Sequence, residues 1–318
     1  MEFVSKINKK NPLVSVIVIC HKHNKYVITA LESIINQSYS NIQLIVINNF
    51  KDNCEKLIRD WIATNSFSNE PLFIQNESVL GLCKNINLGL GYVNGLFFQV
   101  LSADDVLVKD KISVQVSLLQ KLDNKCAGVY SDMLFIDESG IETGNFFFDI
   151  LSDKQKIKAD PMKFLLRSGK TIPAPTLLLK TEIIRNIGGY QEDWPIEDWP
   201  LYLLLGKQGY YLKMVDKPLV LYRLLPEGLG RLQNLKIILF CISLFENNLW
   251  LYDKNDEHQA SKWFSFVCRV SLFDVRKSIG KFKFFLSQND RKFYYSVRYL
   301  IFLFKMAINF FKVKTPKG

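Results

Sequence analysis

Two adjacent carboxylates, Asp104 and Asp105, directly follow an apolar segment of the chain. Residues 96–101 of that segment read Leu-Phe-Phe-Gln-Val-Leu and predict a buried β-strand. Open α/β sheets bind ligands in the crevice at the carboxyl ends of their strands, and paired acids suit a divalent cation and, through it, a phosphorylated ligand. The pair therefore predicts a metal site. The alternative, and the commoner role of two acids after a strand, is a solvated turn or a helix cap.

Apolar segments, which predict strands, alternate along the chain with amphipathic segments, which predict helices. The fold that these elements form must position the two acids. The strands are predicted at residues 13–20, 42–47, 72–74, 96–101 and 127–136. The helices are predicted at residues 26–37, 54–63, 82–92 and 111–122. This order is typical of βαβ units, so we expect an α/β fold with a mostly parallel sheet and flanking helices.

The pattern is less regular after Gly140. Residues 141–158 are rich in Phe and predict a loop. Further helices are predicted at residues 161–167, 181–186 and 201–208, and further strands at 176–179, 210–215 and 219–223. All of the chain from Leu232 onward reads as helix. We therefore expect an α/β domain over residues 1–229 and an all-helical region over residues 230–318.

The charge of the chain is concentrated at its C-terminal end. The formal net charge is +10 over 318 residues, and residues 231–318 hold 16 Lys and Arg against 6 Asp and Glu. The first 230 residues are therefore balanced, and the excess belongs to the helical region. A basic region of this kind binds either nucleic acid or an anionic lipid surface.

The six cysteines and the N-terminal residues indicate the cellular compartment in which the protein is expected. No two cysteines form a Cys-x-x-Cys pair, which argues against a zinc site and against a disulfide scaffold and favours a reducing compartment. The first residues have no basic start followed by an apolar core, so no secretory signal is expected.

The last predicted helix carries a cationic stripe. Arg291, Arg298, Lys305 and Lys312 recur every seven residues on an otherwise apolar and aromatic segment. Charges inside such a segment argue against a membrane-spanning helix and favour a helix lying in the interface of an anionic bilayer. The alternative is a helix packed on the protein with one face in water.

Several segments, taken in order, resemble family-2 glycosyltransferases, which have the GT-A fold. The segments that carry the resemblance are residues 14–19, 25–26, 30–37, 41–47, 80–105, 187–192 and 197–198. The match spans roughly residues 13 to 225, about two thirds of the chain. The resemblance implies a nucleotide-sugar half at about 13–136 and an acceptor half at about 160–225.

The family transfers a sugar from a nucleotide diphosphate donor to an acceptor hydroxyl, usually with inversion. The resemblance places Asp104 on the metal-binding acid of the Asp-x-Asp motif, with Asp105 beside it, and implies Mn2+ or Mg2+. It places Asp198 on the catalytic base, in a pair with Glu197. It places Lys84 on the basic residue near the phosphates or nucleoside of the donor.

Four segments depart from the family pattern. Ser102 replaces the first acid of the metal motif, Asn48 and Asn49 replace the acids after the second strand, and Leu225 stands where a late His often assists the metal. The segment after the first strand is also changed. The residues expected to contact the donor are Cys20, His21, Asn48, Asn49, Lys84, Ser102 and Ala103.

His21 and His23 are two residues apart, and no third ligand is evident nearby. We therefore favour a surface loop over a metal pair, with His21 lining the nucleotide pocket.

The predicted function is that of a bacterial-type inverting glycosyltransferase. The donor is a UDP-sugar by preference, and the acceptor is a lipid-linked glycan of surface polysaccharide synthesis. The expected location is cytoplasmic, peripheral on the inner face of the cell membrane. One alternative is a degenerate member that binds a nucleotide sugar or glycan without turnover. A second is a nucleic-acid-binding protein, which is disfavoured because no nucleic-acid motif is present, so nucleic acid is not expected among the partners.

Overall fold

The computed structural model describes residues 11–147, 172–225, 235–247, 257–270 and 275–288, and six residues between 295 and 303. These residues form two compact units. The first comprises residues 11–147 and 172–225, and the second comprises the described residues from 235 onward. The predicted helix at 161–167 and most of the predicted helix at 291–312 lie outside the described residues.

The first unit is built around a nine-stranded sheet, counted over its described residues. Its strands are β1 Val14–Cys20, β2 Ile42–Asn48, β3 Leu72–Gln75, β4 Phe97–Ser102, β5 Val106–Leu107, β6 Cys126–Ile136, β7 Glu142–Phe146, β8 Leu178–Lys180 and β9 Tyr211–Arg223. The order across the sheet is β3-β2-β1-β4-β8-β6-β9-β5, with β7 pairing to β6. The β3-β2-β1-β4 half and the β6-β9 pair are parallel, and β8 joins them antiparallel to both.

Helices cover this sheet. They are α1 Val27–Ile35, α2 Cys54–Thr64, α3 Leu82–Tyr92, α4 Lys111–Leu119, α5 Thr181–Asn186 and α6 Asp198–Lys207. All seven residues of β1 are buried, as in a parallel strand with helices on both faces. The predicted mostly parallel α/β fold is confirmed.

Some predicted bounds were wrong. Residues 142–146, predicted as loop, form the edge strand β7. The predicted strand 176–179 divides into a 3₁₀ turn, Ala174–Thr176, followed by β8. The two predicted strands at 210–215 and 219–223 form one continuous strand, β9, whose pairing with β6 shifts register near Pro218. Irregular pairing is where a sheet tolerates a proline, which has no N–H to donate.

The second unit is helical where it is described. Its helices are α7 Leu235–Asn247, α8 Glu257–Val270 and α9 Val275–Ser287. Aromatic side chains of α8, α9 and the residues near 295–299 pack together, and the rings of Phe282 and Tyr299 are stacked with centroids 4.1 Å apart. Within the described residues, no helix is long and apolar enough to cross a membrane.

The described turn of the last predicted helix is packed within its unit. Tyr295 and Tyr299 are buried, whereas Arg298 is exposed and lies 5.4 Å from the ring of Phe264. This part of the apolar face is therefore covered by protein, as the alternative of a packed helix with one face in water predicts. Arg291, Lys305 and Lys312 lie outside the described residues.

Candidate active site

The carboxyl ends of β1, β2 and β4 bring several predicted site residues together. In the parallel register, Cys20 of β1 pairs with Asn48 of β2, and Ile19 pairs with Ser102 of β4. The backbone N–H of Ala103 donates to the Ile19 carbonyl at 3.0 Å. Parallel strands end at one edge of the sheet, so the loops that follow them share a crevice.

Asp104 lies at this edge with one oxygen unused. Its Oδ1 is buried and has no hydrogen-bond partner among the described residues. Its Oδ2 lies 3.9 Å from Nε2 of His23, in the loop after β1. The Nδ1 atom of His23 accepts from the backbone N–H of His21 at 3.4 Å, so the proton of a neutral His23 is on Nε2 and faces Asp104. Burial lowers the pKa of His23, although the Asp104 carboxylate opposes this effect.

Asp105 has different surroundings from its neighbour. Its side chain is buried, and its Oδ1 accepts from the backbone N–H of Arg223 at 3.0 Å. The Arg223 Nε in turn donates to the Asp104 carbonyl at 2.9 Å. Burial first, and then the Asp104 carboxylate, raise the pKa of Asp105 well above its usual range. Asp105 therefore fastens β9 to the loop that carries Asp104.

An asparagine network closes the crevice beside β2. The Asn49 Oδ1 accepts from the backbone N–H of Leu80 at 2.8 Å and from Asn76 Nδ2 at 2.9 Å, and its Nδ2 donates to the Leu80 carbonyl. The amide of Asn49 is thus engaged in holding two loops together. The Asn48 Nδ2 donates to Gln75 at 2.9 Å, whereas the Asn48 Oδ1 is buried without a partner in the described part of the chain. Sequence reasoning missed Asn76, which has no family signature to mark it.

The loop after β1 is folded onto the loop after β2. Lys22 has a φ of 62°, in the left-handed region, where a residue other than glycine is uncommon. Its Nζ lies 4.7 Å from the ring of Phe50, and the ring of His21 meets Phe50 edge-on at 5.5 Å. Nδ1 of His21 is buried and unpartnered over the residues described. His21 thus lies against the loop after β2, and its part in a nucleotide pocket stays a prediction.

Lys84 is placed in the first turn of α3 and is half-exposed. Its Nζ lies 3.5 Å from the Glu192 carboxylate, which is also exposed. An exposed ion pair of this length contributes little free energy. Lys84 can therefore leave Glu192 for a more highly charged ligand.

Glu197 and Asp198 lie where α6 begins. The helix starts at Asp198, three residues before the predicted start, and Asp198 Oδ1 accepts from the backbone N–H of Trp199 at 2.7 Å. Burial, and secondly the neighbouring Asp198 carboxylate, raise the pKa of Glu197 to about 8. At neutral pH Glu197 therefore holds its proton while sharing the positive end of the helix dipole with Asp198.

The segment before this pair is clamped to α3. The Asn87 Nδ2 donates to the Tyr190 carbonyl at 2.6 Å, and the Asn87 Oδ1 accepts from the Tyr190 N–H at 3.0 Å. The clamp requires close approach at Gly189, where a Cβ atom would stand 2.8 Å from the Asn87 Oδ1. The position of the two acids thus depends on a turn held by one amide side chain.

The described residues supply some, but not all, of the ligands that a divalent cation needs. No group of three or more His, Cys, Asp or Glu within the described residues could hold a metal ion by itself. Asp104 Oδ1 is a buried carboxylate oxygen without a protein partner over the described ranges, and so is Oδ2 of Asp52, in the loop after β2, which sequence reasoning missed. A cation at Asp104 would therefore take further ligands from a bound phosphorylated molecule, a common arrangement for Mg2+.

The fold is similar to solved glycosyltransferases. One is the mannosyltransferase PcManGT from Pyrobaculum calidifontis, in complex with GDP-Man and Mn2+, with a TM-score of 0.61 and 13% identity, covering 86% of this chain and 74% of that one. Another is residues 1–349 of TarS from S. aureus with UDP-GlcNAc, with a TM-score of 0.56 and 14% identity, covering 87% of this chain and 81% of that one. These likenesses define a GT-A-type glycosyltransferase fold.

Sequence comparison identifies the family. The model of glycosyl transferase family 2 matches residues 15–170. An uncharacterised glycosyltransferase of Rickettsia prowazekii is 32% identical over 59% of this chain and 56% of its own length. The amylovoran biosynthesis glycosyltransferase AmsB of Erwinia amylovora is 24% identical over 66% of this chain and 69% of its own. Residues 15–170 therefore form a family-2 glycosyltransferase domain. The chain matches only 31% of the length of a Rickettsia felis relative.

Proposed function

We propose that this chain is an inverting glycosyltransferase that moves a sugar from a nucleotide diphosphate to a hydroxyl of a lipid-linked glycan. The observation that carries the proposal is the unpartnered, buried Oδ1 of Asp104 at the carboxyl edge of the sheet. A buried carboxylate oxygen without a partner is costly unless a ligand uses it. The crevice that holds Asp104 is also where open α/β sheets bind nucleotides.

The proposed donor is a UDP-sugar. The buried Oδ1 of Asn48 offers one acceptor in the crevice, while its Nδ2 is already engaged with Gln75. Uracil presents a ring N–H that could donate to such an oxygen. Guanine also presents a ring N–H, so GDP is the nucleotide to compare. His21, with its unpartnered Nδ1, and Ser102 are the proposed neighbours of the nucleoside.

Asp104 is the residue we propose to hold the divalent cation, Mn2+ or Mg2+. Such a cation, when bound, supplies positive charge for the diphosphate leaving group. Asp105 was predicted as a second ligand, but its Oδ1 is engaged with the Arg223 N–H. Its proposed part is therefore to hold the loop of Asp104 in place. Lys84 would add positive charge near the phosphates once it leaves Glu192.

Asp198 is the proposed general base. The acceptor hydroxyl gives its proton to the Asp198 carboxylate while the acceptor oxygen forms a bond to the anomeric carbon. The bond between that carbon and the diphosphate oxygen breaks on the opposite face, which inverts the centre. Glu197 is less suited to this role because its raised pKa keeps it protonated at neutral pH.

The proposed setting is surface polysaccharide synthesis on the inner, cytoplasmic face of the cell membrane. The relative AmsB supports the polysaccharide part, since it is named for amylovoran biosynthesis. The basic C-terminal part supports a negatively charged membrane surface. Exposed Ile279 and Phe284 of α9, beside exposed Lys277 and Lys283, offer an apolar and cationic face in the second unit.

Two variants test the reaction. In a donor-hydrolysis and transfer assay with Mn2+ and UDP-sugars, Asp198→Asn should lower turnover about 10²–10⁴-fold, the usual contribution of a general base. Glu197→Gln imitates the protonated side chain and should keep most of the turnover below about pH 8. Near-normal turnover in Asp198→Asn would place the base elsewhere.

The alternative of a degenerate member has some support. Ser102 adds no charge to the metal motif, and the described residues hold no complete metal cluster. Thermal-shift measurements with UDP, GDP and Mn2+ decide between the two. Ligand binding to the folded state raises the melting temperature by mass action, so nucleotide binding without any hydrolysis or transfer would establish a binding role.

A further inference from the structure

The side chain of Arg223, at the carboxyl end of β9, joins two separate segments of the first unit. Only 6% of its surface is exposed. Its Nε donates to the carbonyl of Asp104 at 2.9 Å, and its Nη1 donates to the carbonyls of Asp137 and Glu138 at 2.9 and 3.0 Å. The first carbonyl belongs to the loop between β4 and β5, whereas the other two belong to the turn between β6 and β7. One guanidinium group thus bridges the loop of the proposed cation ligand and a neighbouring turn.

The same guanidinium group also packs on the segment that follows β1. Its central carbon lies 4.5 Å from the centre of the Tyr26 ring, within the range of a cation–π contact. The backbone N–H groups of Tyr26 and Val27 both donate to the carbonyl of His23, at 2.9 and 3.0 Å. The position of His23 therefore depends on Tyr26. Because Nε2 of His23 lies 3.9 Å from Oδ2 of Asp104, Arg223 supports both sides of that contact.

The turn between β6 and β7 is closed by bonds of its own. The Oδ1 of Asp137 accepts from the backbone N–H groups of Ser139 and Ile141, both at 2.9 Å. The backbone N–H of Gly140 donates to the Asp137 carbonyl at 3.0 Å. The turn is therefore a preformed support for the guanidinium group, and the two loops that face the crevice are the parts that Arg223 positions.

Net stability is a weak explanation for this buried arginine. Taking a charge out of water costs free energy, and apolar replacements of buried charged groups are often neutral or stabilising. The carbonyl oxygens that accept from the guanidinium group are neutral, so they compensate its charge only in part. A planar group with donors in fixed directions does, however, select one arrangement of the acceptors around it. The expected gain is a single geometry of the loops.

We propose that Arg223 is a positioning residue, which holds the Asp104 loop and the His23 loop in the arrangement that presents Asp104 Oδ1 to a divalent cation. In this role Arg223 acts through the two loops and not by contact with the cation. Its part in cation binding rests on the proposed function, whereas the coupling of the two loops does not.

Hydrogen–deuterium exchange tests the coupling without any ligand. Arg223→Lys keeps the charge, but a single ammonium group cannot reproduce the fork of donors. Backbone exchange should rise about tenfold in peptides that include residues 22–26 and residues 103–105 together, the effect of losing about one hydrogen bond. Exchange in the self-supported turn at 137–141 should stay almost unchanged. A rise confined to one loop, a rise in neither, or a rise throughout the first unit would overturn the proposal.

Arg185→Lys is the matched control. The Arg185 Nη2 also donates to two carbonyls, those of Leu90 and Val93, at 2.9 and 2.6 Å. These carbonyls precede β4 and so lie at its amino end, opposite the crevice. Exchange in the two loops should therefore be unchanged in Arg185→Lys, and equal changes in the two arginine variants would refute the proposal.

A second variant decides the matter if Arg223→Lys does not fold. Tyr26→Leu removes the ring that supports the guanidinium group and leaves the hydrogen bonds of Arg223 in place. Exchange at residues 103–105 should rise together with exchange at residues 22–26, because Arg223 links the two loops. Unchanged exchange at residues 103–105 would overturn the coupling.

Isothermal titration of UDP with and without Mn2+ tests the part in cation binding. Arg223→Lys should weaken the Mn2+-dependent binding about tenfold, as for other residues that orient a metal ligand, and leave the binding without Mn2+ almost unchanged. Arg185→Lys should bind as the wild type does. Unchanged Mn2+-dependent binding in Arg223→Lys, or an equal loss with and without Mn2+, would overturn the positioning role. A wild-type protein with coupled loops that binds neither UDP nor Mn2+ would count against the proposed function alone.

Discussion

At the scale of the residue, the neighbouring acids Asp104 and Asp105 are expected to have different roles, one in cation binding and one in holding the loop. Asp104 has a buried oxygen without a partner in the described residues, whereas Asp105 accepts from the Arg223 N–H. Asp104→Asn should therefore abolish the Mn2+-dependent part of UDP binding and leave the melting temperature almost unchanged. Asp105→Asn keeps an acceptor for Arg223 and should retain that binding. Isothermal titration with and without Mn2+ measures both, and loss of binding in Asp105→Asn alone would reverse the two assignments.

A second residue-scale prediction concerns Lys111. Burial lowers the pKa of Lys111 to about 7, while an unfolded lysine titrates near about 10.4. Between these pH values the unfolded chain binds one more proton than the folded chain, so the free energy of unfolding rises with pH. The contribution is at most about 1.4 kcal/mol for each pH unit.

Urea denaturation of the wild type and Lys111→Met, from pH 6 to pH 10, measures this contribution. The stability of the wild type relative to the variant should increase from about pH 7 upward. Parallel pH profiles would mean that Lys111 keeps its charge in the fold.

Part of the site could be predicted from the sequence. Asp104, Asn48 and His21 lie at or just beyond the carboxyl ends of buried strands, and apolar runs followed by polar residues marked those places. The part of Arg223 could not be found in this way. An arginine at the end of a strand is usually solvated. Its place beside Asp104 depends on the pairing of β9 with β5 and β6, which is a tertiary feature.

At the scale of the element, the turn before α6 sets the position of the two acids. Gly188 and Gly189 both have positive φ, but only Gly189 faces Asn87. Gly189→Ala should strain the backbone by about 1–2 kcal/mol and also displace the clamp between Asn87 and Tyr190. Turnover should fall well below that of Gly188→Ala, which has open space around the added Cβ and shares only the backbone strain. Equal turnover in the two folded variants would show that the clamp does not position the acids.

The regular elements of the first unit were predictable because their apolar spacing is strong. The predicted bounds 82–92 and 181–186 agree with α3 and α5. The edge strand β7 was missed because its residues, Glu-Thr-Gly-Asn-Phe, are exposed and lack alternation. The start of α6 was predicted three residues too late, since Pro200 lies in its first turn, where a proline gives up no helical hydrogen bond.

At the scale of the whole molecule, acidic and basic residues are equal in number over the first 230 residues, whereas the C-terminal part is basic. We therefore expect the first unit to bind the nucleotide and the second unit to bind an anionic surface. Exposed Lys277 and Lys283 of α9 should each contribute about 1 kcal/mol to binding at an anionic surface. Replacing both with Glu should weaken co-sedimentation with phosphatidylserine-containing liposomes and leave UDP binding unchanged. The matched control replaces the exposed Lys121 and Lys213 of the first unit with Glu.

The control changes the net charge by the same amount, so it should keep liposome binding if the second unit docks. Equal losses in the two double variants would mean that net charge alone brings the protein to the surface. Binding that is absent already in the wild type would remove the membrane proposal. High salt should weaken the wild-type interaction, because screening acts on the cationic contribution.

The burial of every cysteine gives this protein a built-in reporter of local opening. Cys20, Cys54, Cys83 and Cys126 lie in the first unit, Cys241 and Cys268 lie in the second, and all six are buried. A thiol reagent can reach such a side chain only when the structure around it opens, so the alkylation rate measures an opening free energy. Mass spectrometry of the labelled peptides would therefore follow the two units separately in one sample. A nucleotide that binds the first unit should slow labelling at Cys20 and Cys54, and a membrane-like surface should slow it at Cys241 and Cys268.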